Sequence, residues 1–321
     1  MSSINKNYSV FVDNRYYPDF VALYNSWKYY ENKIPIKVYV VGELSSDKRS
    51  KIENVCEVIN VPQNGLSHND FNRKQLFKYI ALQNFMNEYE IILDADILFL
   101  SNTDFLFDYI EAGKIVGATE NIYKYVHKIY LSTEEKFNII KNELSNYLEK
   151  DIIEKYNFEF TNEIINGGFL GYNRHIHLPL FENVIKLLTV PFSNNENLIF
   201  HNEQYMASFL IKLFNYDTCI LPNLEWMNTW DFHKFPKKIL KIENGKFELH
   251  NEGGNRINLY HFTGGIGMPI PTGDLWPCRP HRIFEEANID PFTRKDVEEL
   301  WYKKLENPAL LLYEFFHNKG I

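Results

Sequence analysis

The run Glu90-Ile-Ile-Leu-Asp-Ala-Asp-Ile-Leu-Phe-Leu100 is apolar at every position after Glu90 except Asp94 and Asp96. A run of that kind fits a strand buried on both faces, which in turn requires helices on either side of its sheet. An ionised carboxylate inside such a strand is costly unless a cation or hydrogen bonds compensate it. Residues two apart on a strand share a face, and where the strand breaks into a turn both carboxylates can converge on one ion. A hard divalent ion with oxygen ligands, Mn2+ or Mg2+, suits that pair. The competing reading has one aspartate capping a helix and the other held in an ion pair.

The rest of the chain supplies the expected rhythm of an α/β protein. Tyr8 to Val12 reads as a strand, and Asp19 to Tyr30 places Phe20, Leu23, Tyr24, Trp27 and Tyr30 at helical spacing. Ile36 to Val41 is a second strand ending at Gly42, followed by a polar helix from Ser46 to Asn54 and a run from Val55 to Val61. Asn72 to Asn87 is amphipathic, Thr133 to Lys155 is a polar helical stretch, Ile164 to Tyr172 is a strand, and Glu203 to Phe214 is a helix. The expectation is a mixed, mainly parallel sheet flanked by helices. Residues 1–280 would form one catalytic domain, with 281–321 a helical extension packed on it; a membrane-surface or partner-binding role for the extension is the alternative.

Composition narrows the function classes. With 34 basic against 42 acidic residues and a net charge of -8, the chain offers no general attraction to nucleic acid or an anionic membrane. Cys56, Cys219 and Cys278 are widely spaced, which argues against a disulfide framework or a zinc site. The polar stretch Met1 to Val10 lacks an apolar signal region, and no window approaches the ~20 apolar residues of a membrane span. A cytoplasmic protein without a transmembrane segment is expected, with peripheral membrane contact left open.

Ile91 to Leu100 resembles the Asp-x-Asp strand of a glycosyltransferase family of the GT-A fold, that of glycogenin and the bacterial lipopolysaccharide glucosyl- and galactosyltransferases. The similarity runs in order over roughly residues 8 to 270 and is poorest between Ile122 and Glu163. Haloacid dehalogenase phosphatases also carry Asp-x-Asp after an apolar strand, but they place Thr or Val where this chain has Leu98. The resemblance implies that Asp94 and Asp96 bind the metal, that Ala95 lies against the nucleotide, and that Lys78, 16 positions before Asp94, reaches the donor phosphates. A solvated helical lysine is the competing role for Lys78.

Ile165-Asn-Gly-Gly-Phe-Leu-Gly-Tyr172 resembles the family's Asn-x-Gly strand beside the transferred sugar, which gives Asn166 both a donor and an acceptor for hydroxyls. Its glycines would admit the ligand closely or mark a β-bulge. Asn202-Glu203-Gln204 matches the family's acidic residue followed by Gln, which implies that Glu203 and Gln204 face the reaction centre; helix capping competes for Asn202 and Glu203. Leu259-Tyr-His-Phe-Thr-Gly264 resembles the His-Phe-x-Gly segment, making His261 the third metal ligand and Gly264 part of the nucleotide site. Phe11-Val-Asp-Asn-Arg-Tyr16 falls where the family receives base and ribose, with Val12, Asp13 and Tyr16 as contacts. The family continues with a Lys-Pro pair where this chain has Gly267 and Met268, so Arg279, Arg282 or Lys74 would replace the lysine or the loop is organised differently.

The implied activity is metal-dependent transfer of a hexose from a nucleotide diphosphate sugar, UDP-glucose or UDP-galactose, to a glycan or other hydroxyl acceptor with retention. The aromatic stretch Asn223 to Phe235, with Trp226, Trp230 and His233, is either a glycan platform or core. Two alternatives stand: a non-catalytic nucleotide-sugar or glycan-binding protein, and a sugar-1-phosphate nucleotidyltransferase. The latter needs a Gly-rich phosphate loop, and Asp13 to Asp19 contains no glycine.

Overall fold

The computed structural model describes residues 5–62, 71–85, 87–121, 163–189, 203–222, 226–229, 238–262 and 308–321. In chain order the elements are β1 (Lys6–Val12), α1 (Tyr17–Tyr29), β2 (Ile36–Val40), α2 (Ser46–Glu53), β3 (Glu57–Asn60), α3 (Phe71–Phe85), β4 (Tyr89–Leu93), β5 (Ile97–Phe99) and α4 (Leu106–Glu111). Then follow β6 (Ile115–Asn121), β7 (Glu163–Asn173), α5 (Arg174–Thr189), α6 (Glu203–Leu213), β8 (Thr218–Leu221) and β9 (Met227–Thr229). The last are β10 (Ile239–Glu243), β11 (Lys246–His250), β12 (Arg256–Ile257), β13 (Leu259–His261) and α7 (Pro308–His317). The expected helix from Thr133 to Lys155 lies outside the described residues.

A mixed, mostly parallel seven-stranded sheet runs in the order β3-β2-β1-β4-β7-β6-β8. Every residue of β2 is buried, and on β1 Tyr8, Val10 and Val12 are buried on one face while Asn7 and Ser9 are buried on the other. Burial on both faces belongs to interior strands with helices above and below. The Tyr89 amide donates to the Asn5 carbonyl at 3.0 Å, so β4 starts beside the start of β1. On the other flank β6 pairs antiparallel with β7 and parallel with β8.

The apolar run from Glu90 to Leu100 breaks at its aspartates, as expected, and forms two strands. Ile97 N–H bonds back to Asp94 C=O at 3.2 Å, closing a turn over Ala95 and Asp96. Aspartates stabilise such turns, and the turn sends β5 out of the main sheet to join β13 and β9. The other expected elements occur with ends moved by a few residues.

By internal contacts the chain divides into two units: residues 1–9, 59–92 and 106–221, and residues 10–58, 93–105 and 222–321. In the first, α3 packs on α5, α5 on α6, and α6 on β7. Asn173 caps α5, its Oδ1 accepting the amides of His175 and Ile176 at 3.0 and 3.4 Å. Ser208 fixes α6 to β7 by accepting the Ile165 amide at 2.9 Å.

In the second unit α1 begins with Pro18 in its first turn, where the missing donor costs nothing. It buries Phe20, Val21, Ala22 and Leu23. Asn25 on α1 donates to the carbonyls of Phe316 and Gly320 at 2.9 and 3.0 Å, and Tyr313 donates to Asp19 at 2.9 Å, so α7 lies along α1. A small sheet of β10, β11 and β12 contains a hairpin whose turn residues Asn244 and Gly245 have φ of 50° and 73°. That conformation is the one Asn-Gly favours between strands. Among the described residues no helix is long and apolar enough to cross a membrane.

Candidate functional site

The turn after β4 carries the two aspartates, and β13 brings the histidine to them. His261 stands opposite Ile97 in the antiparallel pairing of β13 with β5, and the Phe262 amide donates to the Asp96 carbonyl at 3.0 Å. β5 is held in turn by α1, since Ser26 Oγ accepts the Phe99 amide at 3.0 Å. His261 Nε2 lies 3.3 Å from Asp96 Oδ1 and 3.6 Å from Asp94 Oδ2. One ligand atom from each of the three side chains falls within 4.8 Å of the others.

These separations discriminate between two kinds of contact. Charge-assisted hydrogen bonds close to ~2.7–2.9 Å. Ligand atoms ~2.1 Å from a shared ion stand ~3.0 Å apart at right angles and ~3.4 Å apart at a tetrahedral angle. The 3.3 Å separation falls between those two values and the 3.6 Å separation just beyond them, and both are longer than a charge-assisted hydrogen bond. The side chains of Asp96 and His261 are only 4% exposed while that of Asp94 is 30% exposed, so the site meets solvent through Asp94. Burial works against a charged His261, but the carboxylates of Asp96 and Asp94 prevail and raise its pKa to about 9. The two carboxylates thus demand positive charge at this point. His261 Nδ1 is buried and has no hydrogen-bond partner among the described residues.

The loop after β1 belongs to the same unit. Val12 is buried and accepts the Val41 amide at 3.1 Å. Asp13 Oδ1 accepts the amides of Arg15 and Tyr16, each at 2.9 Å, so one carboxylate oxygen shapes the entry to α1. Tyr16 is half-buried at that entry and Ala95 is buried in the turn between β4 and β5. Trp226 meets Phe105 edge-on, with ring centroids 6.4 Å apart.

In the other unit, β7 and α6 gather the remaining expected residues. Gly117 of β6 pairs with Leu170 and Thr119 with Ile165, so Ala118 alone faces the stretch from Asn166 to Phe169. β7 bulges there, and Asn166 Oδ1 turns back to accept the Gly168 amide at 2.8 Å. Gln204 Oε1 accepts the Gly167 amide at 3.0 Å. A Cβ on Gly167 would come within 3.2 Å of Glu203 Oε1 and 3.3 Å of Gln204 Cβ, so the glycine allows α6 to approach. Lys78 Nζ lies 3.9 Å from Glu203 Oε1, and both side chains are largely buried.

The structure therefore gathers Asp94, Asp96 and His261 in one cluster and Lys78, Asn166, Glu203 and Gln204 in another. Gly264, Trp230, His233, Gly267, Met268, Arg279 and Arg282 lie outside the described residues, as do Asn202 and the side chain of Lys74. Sequence reasoning did not anticipate the Lys78 to Glu203 pair or the Gln204 to Gly167 bond, because neither pair carries a local signal.

No protein-family model matches the chain, and no curated protein matches it. Among solved structures it is similar to WbbM, a bifunctional glycosyltransferase in its apo form, at 13% identity and a TM-score of 0.45 over 70% of this chain. It spans 39% of the WbbM chain. It is also similar to an active-site mutant of LgtC, at 13% identity and a TM-score of 0.46, covering 91% of this chain and 99% of that one.

Proposed function

We propose that the chain is a metal-dependent glycosyltransferase of the GT-A type. It transfers a hexose from UDP-glucose or UDP-galactose to a glycan or other hydroxyl acceptor, with retention of the anomeric configuration. The reading is carried by one observation: Asp94, Asp96 and His261 converge at separations suited to a single divalent ion. The cluster follows the C-terminal end of β4, and open α/β sheets bind ligands at the carboxyl ends of their strands.

A bound Mn2+ or Mg2+ supplies positive charge to a diphosphate leaving group. Asp94, Asp96 and His261 hold that charge in place, and preorganised charge opposite a developing anion provides most of the rate enhancement in many such reactions. Lys78 adds a compact cation. Val12, Asp13, Tyr16, Ala95 and Gly264 receive the nucleotide. Asn166, Glu203 and Gln204 orient the sugar and the incoming hydroxyl. Residues 1–280 form the catalytic domain and 281–321 a packed extension, in a protein working in the cytoplasm. Packing of α7 on α1 supports the extension.

Release of nucleotide from a panel of UDP-, GDP-, CMP- and dTDP-sugars, with and without Mn2+, tests this reading. The expected result is release from a UDP-hexose only with metal, reduced by about 100-fold or more in Asp96→Ala. Release that ignores both metal and substitution contradicts it.

A further inference from the structure

Arg15 is a cation without a partner among the described residues. Its Nε and Nη2 are buried and neither meets a hydrogen-bond acceptor. Its backbone amide is used by Asp13, but its guanidinium is not. The neighbouring Asp13 spends its Oδ1 on the amides of Arg15 and Tyr16. Guanidinium nitrogens cut off from water without acceptors are costly, and arginine cannot escape by losing its proton. Such a group points to an anionic ligand that completes it.

The position of Arg15 says which anion. β1 and β4 are neighbours in the sheet and start together through the bond from Tyr89 to Asn5, so their ends at Val12 and Leu93 lie on one edge. The order β3-β2-β1-β4 reverses direction between β1 and β4, and ligands of open α/β sheets bind at that reversal. Arg15 is in the loop leaving β1, and Asp94 and Asp96 are in the loop leaving β4. Arg15 also immediately precedes Tyr16 and α1, a 13-residue helix whose N-terminus favours negative charge. A divalent ion neutralised by two aspartates leaves a diphosphate short of positive charge. A planar guanidinium meets phosphate oxygens with two parallel bonds.

We infer that Arg15 is a bidentate diphosphate-binding residue, gripping the phosphates of the nucleotide whose metal sits on Asp94, Asp96 and His261. The inference rests on the transferase reading for the nucleotide, while the anion site itself does not.

Calorimetric titration of the intact chain with UDP, GDP, uridine and inorganic pyrophosphate, with and without Mn2+, separates the two. Arg15→Gln is expected to weaken nucleoside diphosphate and pyrophosphate binding about 10- to 100-fold and to leave uridine binding unchanged. Arg15→Lys, which keeps charge without the fork, is expected to bind at least about 3-fold more weakly than wild type. It carries the test should the glutamine variant misfold. Wild-type affinity for diphosphates in either variant overturns the inference. Pyrophosphate binding that depends on Arg15, without binding of any nucleoside diphosphate, keeps the anion site and defeats the nucleotide reading. Failure of the wild type to bind either probe defeats both.

Discussion

His177 is fully buried, its ring edge-on to Tyr216 with centroids 4.8 Å apart and its Nδ1 accepting the Asn173 amide at 3.0 Å. Burial lowers its pKa to about 4 from an ordinary 6.5, and backbone hydrogen bonds recover only part of the shift. The unfolded chain therefore takes up a proton below about pH 6.5 that the folded chain refuses until about pH 4, so stability falls as pH drops through that window. Between about pH 7.5 and about pH 5 the loss from this residue is roughly 2 kcal/mol. Urea unfolding at the two values should show that loss in wild type and not in His177→Gln; equal losses in both would contradict it. Residues of this kind are hard to read from sequence, because a histidine beside Ile176 gives no hint that its ring is enclosed. Asp94 and Asp96 are the opposite case, since carboxylates inside an apolar run declare their own cost. Arg15 lies in the segment from Phe11 to Tyr16, yet that its Nε and Nη2 are buried without an acceptor emerges only from the structure.

Among the elements, β7 carries glycines closely hemmed in by their neighbours. A Cβ on Gly171 would fall 2.7 Å from Ile110 Cδ1 and 3.2 Å from both Ile91 Cγ1 and Val116 Cβ, so α4 and the neighbouring strands leave room for hydrogen alone. Gly171→Ala should cost about 1–3 kcal/mol through overpacking. A shift in the urea midpoint checks this, and an unchanged midpoint would mean that Ile110 moves aside freely. The strands β1, β2 and β7 and the helices α1, α3 and α6 were legible because apolar periodicity and Pro or Gly punctuation agree there. The turn at Asp94 and Asp96 was legible from the two carboxylates, whereas the departure of β5 into a separate sheet was not, because β4 and β5 are equally apolar. The helix α5 was missed because Pro179 and the His175 to His177 stretch disguise it, although Asn173 caps it as expected of asparagine. The hairpin of β10 and β11 carried a readable Asn244-Gly245 turn.

At the level of the whole molecule, residues distant in sequence are brought into each cluster by a topology that sequence patterning states only in outline. The cluster of Asp94, Asp96 and His261 draws on the turn after β4 and on β13, about half the chain apart in sequence and joined through the pairing of His261 with Ile97. Lys78 and Glu203 come from α3 and α6 and form an ion pair, and Gln204 of α6 accepts the Gly167 amide of β7 beside Asn166. The fold class follows from alternation of strands and helices, whereas both clusters depend on which strands become neighbours. Electron paramagnetic resonance of Mn2+ titrated into the intact chain tests most directly the proposal that Asp94, Asp96 and His261 seat a divalent ion for a nucleoside diphosphate. The expected result is one bound Mn2+ per chain in wild type, a spectrum altered by adding UDP, and loss of the bound signal in Asp96→Ala. Mn2+ binding that survives Asp96→Ala unchanged, or no binding by the wild type, would contradict it.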